Sequence, residues 1–425
     1  MSKILEVKAI QVFDSRGIPT VSCKINLSNG ISASSIVPSG ASTGTKEALE
    51  LRDNNENKYH GKSVLNAVNN INNIFADVII GMDPNDQESI DNKLIEIDGT
   101  DNKSNMGANA ILGVSLSVAH SAAKCNQIPL YEHFSNLYKN ITKDSVNFSL
   151  PMPMFNILNG GEHADNNLDL QEFMIIPNGA NDFVQIMEWS TNTYHNLKKI
   201  LKLKGYSTAI GDEGGFAPNL ESNEEAIQLI IDAIKLSNLE PGKDVSIALD
   251  CAASEFYDGT FYCLNGEKKQ LSSDDFVEYL EEIVSKYPIT SIEDGMDESD
   301  IEGWKILSEK LNNKCQLVGD DLFVTNEEIL MQGIKNNIAN SILIKFNQVG
   351  SLTETIKTIH AANKNSYKAV ISHRSGESED TTIADLAVGL GIGQIKAGAP
   401  CRSDRVAKYN RLLWIESENN KISVK

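Results

Sequence analysis

From about residue 150 onward, short unbroken apolar runs recur, each ending in a polar or charged residue and most followed by a helix-like segment: MPMFNIL, LQEFMIIP, VSIALD, ITSIED, QLVGDD, SILIKF, KAVISH and GQIKAG. A strand buried on both faces reads as a continuous β-rich apolar run, not as an alternation. Repeated strand-then-helix units close most simply as an eightfold β/α barrel, and functional residues then gather at the C-terminal ends of the strands. An open doubly wound sheet has the same local grammar, but no Gly-rich dinucleotide fingerprint follows an early strand, so the barrel is expected. Ahead of it, residues 1–134 mix alternating segments, such as Thr20 to Leu27, with helical ones, notably the small-residue run from Gly107 to Lys124, which predicts a smaller α+β domain. The polar stretch from Ser135 to Asn147, before Pro151 and Pro153, reads as a linker. The expected division is 1–134, a linker at 135–149, and a barrel at 150–425.

The residues that end these runs carry the chemistry. Asp250, Glu293 and Asp320 close three successive β-like runs. In a barrel their carboxylates converge at the mouth, where they repel unless a cation joins them. An oxygen-only set favours a hard ion such as Mg²⁺ over zinc. Taken singly, each acid reads equally as a helix cap or an ion-pair partner. Lys345 leaves an apolar strand between Ile344 and Phe346, and Lys396 ends the last run. Desolvation and the second positive charge are expected to lower the pKa of Lys345, and a neutral lysine abstracts protons. The competing reading has both lysines only neutralising the acids.

Two glycine-rich loops and one strand end complete the set. Ser39-Gly40-Ala41-Ser42-Thr43-Gly44 offers free amides and hydroxyls for close approach to a phosphate or metal, without Walker lysine spacing. Gly211-Asp212-Glu213-Gly214-Gly215 brings an acid into a tight turn. His373-Arg374-Ser375-Gly376 supplies a cation and a hydroxyl suited to gripping phosphate.

Composition narrows the setting. A chain of 425 residues buries a large core. Its formal net charge of −20 disfavours nonspecific nucleic-acid binding, so an anionic substrate needs a local basic pocket. The six cysteines (Cys23, Cys125, Cys251, Cys263, Cys315 and Cys401) have no CxxC spacing, arguing against a zinc cluster and a dense disulfide framework. Lys3, Glu6 and Lys8 interrupt any signal-like apolar run, and no stretch has membrane length. A cytoplasmic protein without membrane insertion is expected.

About ten motifs in one order resemble the enolases, of the bacterial type: DSRG, PSGASTG, NGGEHADN, QEFM, GDEGGFAP, SIEDG, GDDLFVTN, KFNQ, SHRSGE and IKAGAPCRSDR. They span nearly the whole chain. The resemblance implies an N-terminal α+β domain on a barrel that opens β-β-α-α. It implies a glycolytic lyase, phosphopyruvate hydratase, that reversibly dehydrates 2-phosphoglycerate to phosphoenolpyruvate. By it, Lys345 is the base for the proton α to the carboxylate, and Glu213, supported by Glu172, helps hydroxide leave as water. Asp250, Glu293 and Asp320 hold one Mg²⁺, and Ser42 joins a second with the substrate phosphate. His163, Gln171, His373, Arg374, Ser375, Lys396, Glu293, Asp320 and Ser42 surround the substrate.

A homodimer or higher homo-oligomer is also implied. Where the family commonly pairs charges between the N-terminal domain and a late barrel helix, this chain has Ile10, Ser22, Trp414 and Ser417. An interface leaning on apolar burial by Ile10 and Trp414 is expected, unless Trp414 is simply a core residue of the last helix. The resemblance also admits secretion or display at a cell surface, with plasminogen taking the terminal Lys425.

Overall fold

The computed structural model describes residues 2–41, 44–419 and 421–424. The N-terminal part opens on an antiparallel sheet of β1 (Ile4–Phe13), β2 (Pro19–Leu27) and β3 (Ser32–Ile36). Val21, Cys23, Ile25 and Leu27 alternate toward the core, as a half-buried strand requires. The small-residue run forms the helix Ala108–Asn126, buried along almost its whole length against β2 and β3. Small side chains permit that approach: Ser117 Oγ donates to the carbonyl of Cys23 at 2.8 Å and lies 2.7 Å from Ser35 Oγ.

All eight apolar runs are strands of one closed barrel. They are β4 (Met152–Asn159), β5 (Glu172–Ile176) and β6 (Ser246–Asp250), then, after the small hairpin β7 (Tyr262–Leu264) and β8 (Lys269–Leu271), β9 (Ile289–Glu293), β10 (Gln316–Gly319), β11 (Ser341–Ile344), β12 (Lys368–Ser372) and β13 (Gln394–Lys396). Every residue of β4, β5, β6 and β11 is buried, which explains the unbroken apolar runs. Two helices, Phe183–Leu203 and Asn223–Leu236, follow β5 before β6 begins, giving the β-β-α-α opening. β5 runs antiparallel to both neighbours, while the remaining barrel pairs are parallel. Reversal of β5 has a functional consequence. Its first residue, Glu172, pairs with Asp250 at the end of β6, and Asp250 pairs with Glu293 at the end of β9, so three acids share one rim.

The stretch expected as a linker is partly helical. Leu130–Thr142 is one helix, and Tyr131, Phe134, Leu137 and Tyr138 are buried on one side of it. It packs on the barrel helix Thr382–Gly389 so closely that a Cβ on Gly389 would meet the Tyr131 carbonyl oxygen at 2.1 Å. Only the residues after Thr142 are left as extended chain.

The N-terminal part closes over the barrel mouth through backbone pairing of Ser39 with Gly376, at 2.9 and 2.8 Å. A Cβ on Gly376 would meet Asp14 Oδ2 at 2.2 Å and the Ser39 carbonyl oxygen at 2.8 Å, so this crossing needs glycine.

Candidate active site

His163, Gln171, Glu172, Glu213, Asp250, Lys345, His373, Arg374, Ser375 and Lys396 line one small cavity at the rim, with Ser372. Glu293 and Asp320 lie beside it, tied in through the two lysines. Ser42 falls outside the described residues, as does Lys425.

Lys396, at the end of β13, is the hub. Its Nζ stands 2.8 Å from Glu293 Oε1, 3.0 Å from Asp250 Oδ2 and 3.1 Å from Glu172 Oε2, all buried. Burial works to lower this lysine, but Asp250, Glu172 and Glu293 outweigh it and hold it well above its usual value. One ammonium does not neutralise three carboxylates. Burial, then the neighbouring Asp250, raises Glu293 well above the carboxylate range, and burial, then Glu213, does the same to Glu172.

Lys345 pairs with Asp320, and this overturns the expected direction of its pKa. Burial acts to lower it, as do Arg374 and Lys396, but Asp320 outweighs them and the lysine is raised. The other oxygen of Asp320 accepts from Gln348 Nε2 at 2.9 Å. The same amide faces Glu47 Oε1 at 3.2 Å, and Glu47 Oε2 accepts from Arg374 at 3.0 Å. The loop after Gly44 is thus bonded to both the acid rim and the phosphate-gripping arginine expected from sequence. Ser375 Oγ accepts from the Ala41 amide at 3.0 Å, which places that hydroxyl against the same loop.

Glu213 enters through a turn that only glycines permit. A Cβ on Gly215 would lie 1.9 Å from Asn159 Oδ1, and one on Gly211 would lie 2.4 Å from the His163 carbonyl oxygen. Asn156 Nδ2 donates to Glu213 Oε2 at 3.0 Å, and His373 Nε2 stands 3.2 Å from the same oxygen. Burial alone would raise Glu213, yet His373, His163 and Arg405 outweigh it and hold it well below the carboxylate range. The two neighbouring acids are thus pushed in opposite directions, Glu172 up and Glu213 down. Ligating atoms of His163, Glu172 and Glu213 all lie within 4.8 Å of one another, with His163 Nδ1 3.4 Å from Glu172 Oε1 and 3.8 Å from Glu213 Oε1. Burial is the largest cause lowering both histidines, His373 to about 4.

Several supporting residues did not stand out in the sequence: Glu47, Asn156, Asp294, Gln348 and Arg405. Asp294 follows Glu293 at φ 40° and accepts the amides of Asp320 and Asp321, each at 2.8 Å, which ties the ends of β9 and β10 together. Four of the five stand within or next to the motifs SIEDG, KFNQ, IKAGAPCRSDR and PSGASTG, which is the signal that marks them.

The acids suit a divalent cation. Glu293 Oε2 is buried without a hydrogen-bond partner among the described residues, and the donors of Asp250, Glu293 and Asp320 are all carboxylate oxygens. Asp320 is turned toward Lys345 and Gln348, whereas Asp250 and Glu293 share Lys396. The groups whose ligating atoms already cluster within 4.8 Å are His163, Glu172 and Glu213, and Asp294, Asp320 and Asp321.

Fold and rim together define a class: a barrel lyase of the enolase superfamily. The family model described as Enolase, N-terminal domain matches residues 4–134, and that described as Enolase, C-terminal TIM barrel domain matches residues 147–424. The chain belongs to the enolase family. That family uses a divalent metal ion and a phosphorylated small-molecule substrate, and its members are commonly oligomeric. Among the described residues, no helix is long and apolar enough to cross a membrane.

Proposed function

We propose that the protein catalyses the reversible dehydration of 2-phosphoglycerate to phosphoenolpyruvate, with residues 1–134 capping the barrel. The observation that carries this reading is that Lys345 and the Glu172–Glu213 pair line one small cavity. Elimination of water needs a base at the carbon α to the carboxylate and an acid at the departing hydroxyl. Lys345 is the base: once Asp320 is engaged elsewhere, burial, Arg374 and Lys396 all act to strip its proton. Glu213 is the acid that meets the hydroxyl, with Glu172 as the store of its proton. Arg374 and Ser375 grip the phosphate, with His373 and Ser42 at its edge. Gln171 and His163 bound the carboxylate end.

Asp250, Glu293 and Asp320 would hold a Mg²⁺, and Ser42 would join a second with the phosphate; the ions supply positive charge where the substrate carboxylate gains negative charge. Lys396 adds to that charge from the protein side. Closure of the lid that carries Ser42 would exclude water from the cavity.

The test is ultraviolet absorbance of forming phosphoenolpyruvate from 2-phosphoglycerate, with Mg²⁺ and then with chelator. Turnover that chelator abolishes is expected. A folded protein without turnover would move the assignment to a sister reaction of the superfamily.

The oligomer is proposed to be a homodimer with an apolar seam. Ile10 is 53% exposed and Trp414 63% exposed, so Trp414 is not a core residue of the last helix, and Ser22 and Ser417 offer no charges to pair. Sedimentation is expected to give the same dimer at low and high salt, because apolar burial is not screened. Dissociation at high salt would sink the apolar seam.

A further inference from the structure

Arg405 stands on the helix Ser403–Glu418, fully buried, and reaches the rim from behind. It donates to the carbonyl oxygens of Arg374 and Ser375, each at 2.6 Å, and to that of Asp212 at 3.2 Å, which joins the phosphate-gripping strand end to the Glu213 turn. Its Nη1 also contacts His373 Nδ1. A guanidinium has five N–H donors, no acceptor, and does not deprotonate in proteins. Nδ1 must therefore present its lone pair. A neutral imidazole carries one proton, so it lies on Nε2, the atom that faces Glu213 Oε2.

We infer that Arg405 is a positioning residue that sets the tautomer of His373 and, through it, decides which oxygen of Glu213 takes the catalytic proton. Oε2 accepts from the Asn156 amide and stands 3.2 Å from Nε2, so with Nε2 protonated a second proton on Oε2 would be crowded against the one on the ring. Oε1 is left for it. That oxygen lies 3.8 Å from His163 Nδ1, which also stands 3.4 Å from Glu172 Oε1. The opposite tautomer would aim a lone pair at Oε2 and draw the proton of Glu213 onto the ring side, away from the departing hydroxyl. The consequence for turnover rests on the proposed role of Glu213 as the acid; the tautomer itself does not.

Nitrogen-15 spectra of the full-length, histidine-labelled protein test it at neutral pH. The chain has only seven histidines, and His373→Asn identifies the signals that belong to His373. A protonated Nε2 with an unprotonated Nδ1 is expected; a protonated Nδ1 overturns the inference whether or not the protein turns over substrate. Conversely, the expected tautomer in a protein without lyase activity defeats the proposed function and leaves this inference standing. Arg405→Gln offers both a donor and an acceptor, so it is expected to mix the tautomers and lower kcat by about 10²-fold, the lower end of what a general acid contributes. Arg405→Lys, a donor only, is expected to keep the parent tautomer. An Arg405→Gln protein with the parent tautomer and parent kcat removes Arg405 from this role. Where Arg405→Gln does not fold, Arg405→Lys decides: a folded Lys variant that has lost the tautomer overturns the inference, and one that keeps it supports it.

Discussion

Lys345→Ala is expected to lower turnover of 2-phosphoglycerate by about 10³- to 10⁴-fold at saturating Mg²⁺, near the upper end of what a positioned base contributes. KM is expected to change little, because the phosphate grip of Arg374 and Ser375 is left in place. The alanine variant alone does not separate a base from a countercharge, since Lys345 also pairs with Asp320. Lys345→Arg separates them. An arginine keeps the positive charge beside Asp320 but has no neutral form to accept a proton. A countercharge is restored by arginine; a base is not. Both variants are expected to lose exchange of the substrate α-proton with deuterated solvent, which reports proton abstraction apart from the departure of water. Recovery of most activity in Lys345→Arg would leave Lys345 as a structural partner of Asp320 and the base unassigned.

Both lysines are held up by acids on other strand ends, which no single run of the sequence reveals. Eight strands were legible because a strand buried on both faces leaves an unbroken apolar run, and the rim acids because each such run stops at a charged residue. The direction of β5 was not, since EFMII reads the same from either end; only pairing with β4 and β6 fixes it, and with it the meeting of Glu172 with Asp250. The helix Leu130–Thr142 was hidden by the polar residues between Tyr131, Phe134 and Tyr138, whose helical spacing is the sign of its buried face. The direction of the Lys345 pKa was out of reach for a different reason. Desolvation depends on the residue's own strand and is visible there, but Asp320 comes from the end of β10, and a contact between two strand ends overrides what either run implies alone. Arg405 was further still, since its contacts to Asp212, His373, Arg374 and Ser375 join three segments distant in the chain.

Lys396→Met tests the other half of the rim, where one cation serves three acids. Methionine keeps the unbranched stem, one atom shorter, and removes the charge, so Glu172, Asp250 and Glu293 are left facing one another with no ammonium between them. Removing one partner from a buried ionic cluster costs about 3–5 kcal/mol. A loss of that size, measured by urea unfolding in chelator at neutral pH, is expected, together with loss of turnover. Burial already holds Glu172 and Glu293 above their unfolded values, and Lys396 is a principal influence pulling both down. Without it the folded state binds protons more strongly than the unfolded chain. Such groups stabilise fully below the unfolded carboxylate pKa of about 4.3 and lose that stability as pH rises through their folded values. The variant is therefore expected to approach the parent in stability near about pH 5 and to fall behind as pH rises, by up to about 1.4 kcal/mol per pH unit for each proton retained. A deficit that is the same at every pH would assign the loss to packing around the methionine, and Lys396 would no longer be the charge that lets three carboxylates share one barrel rim.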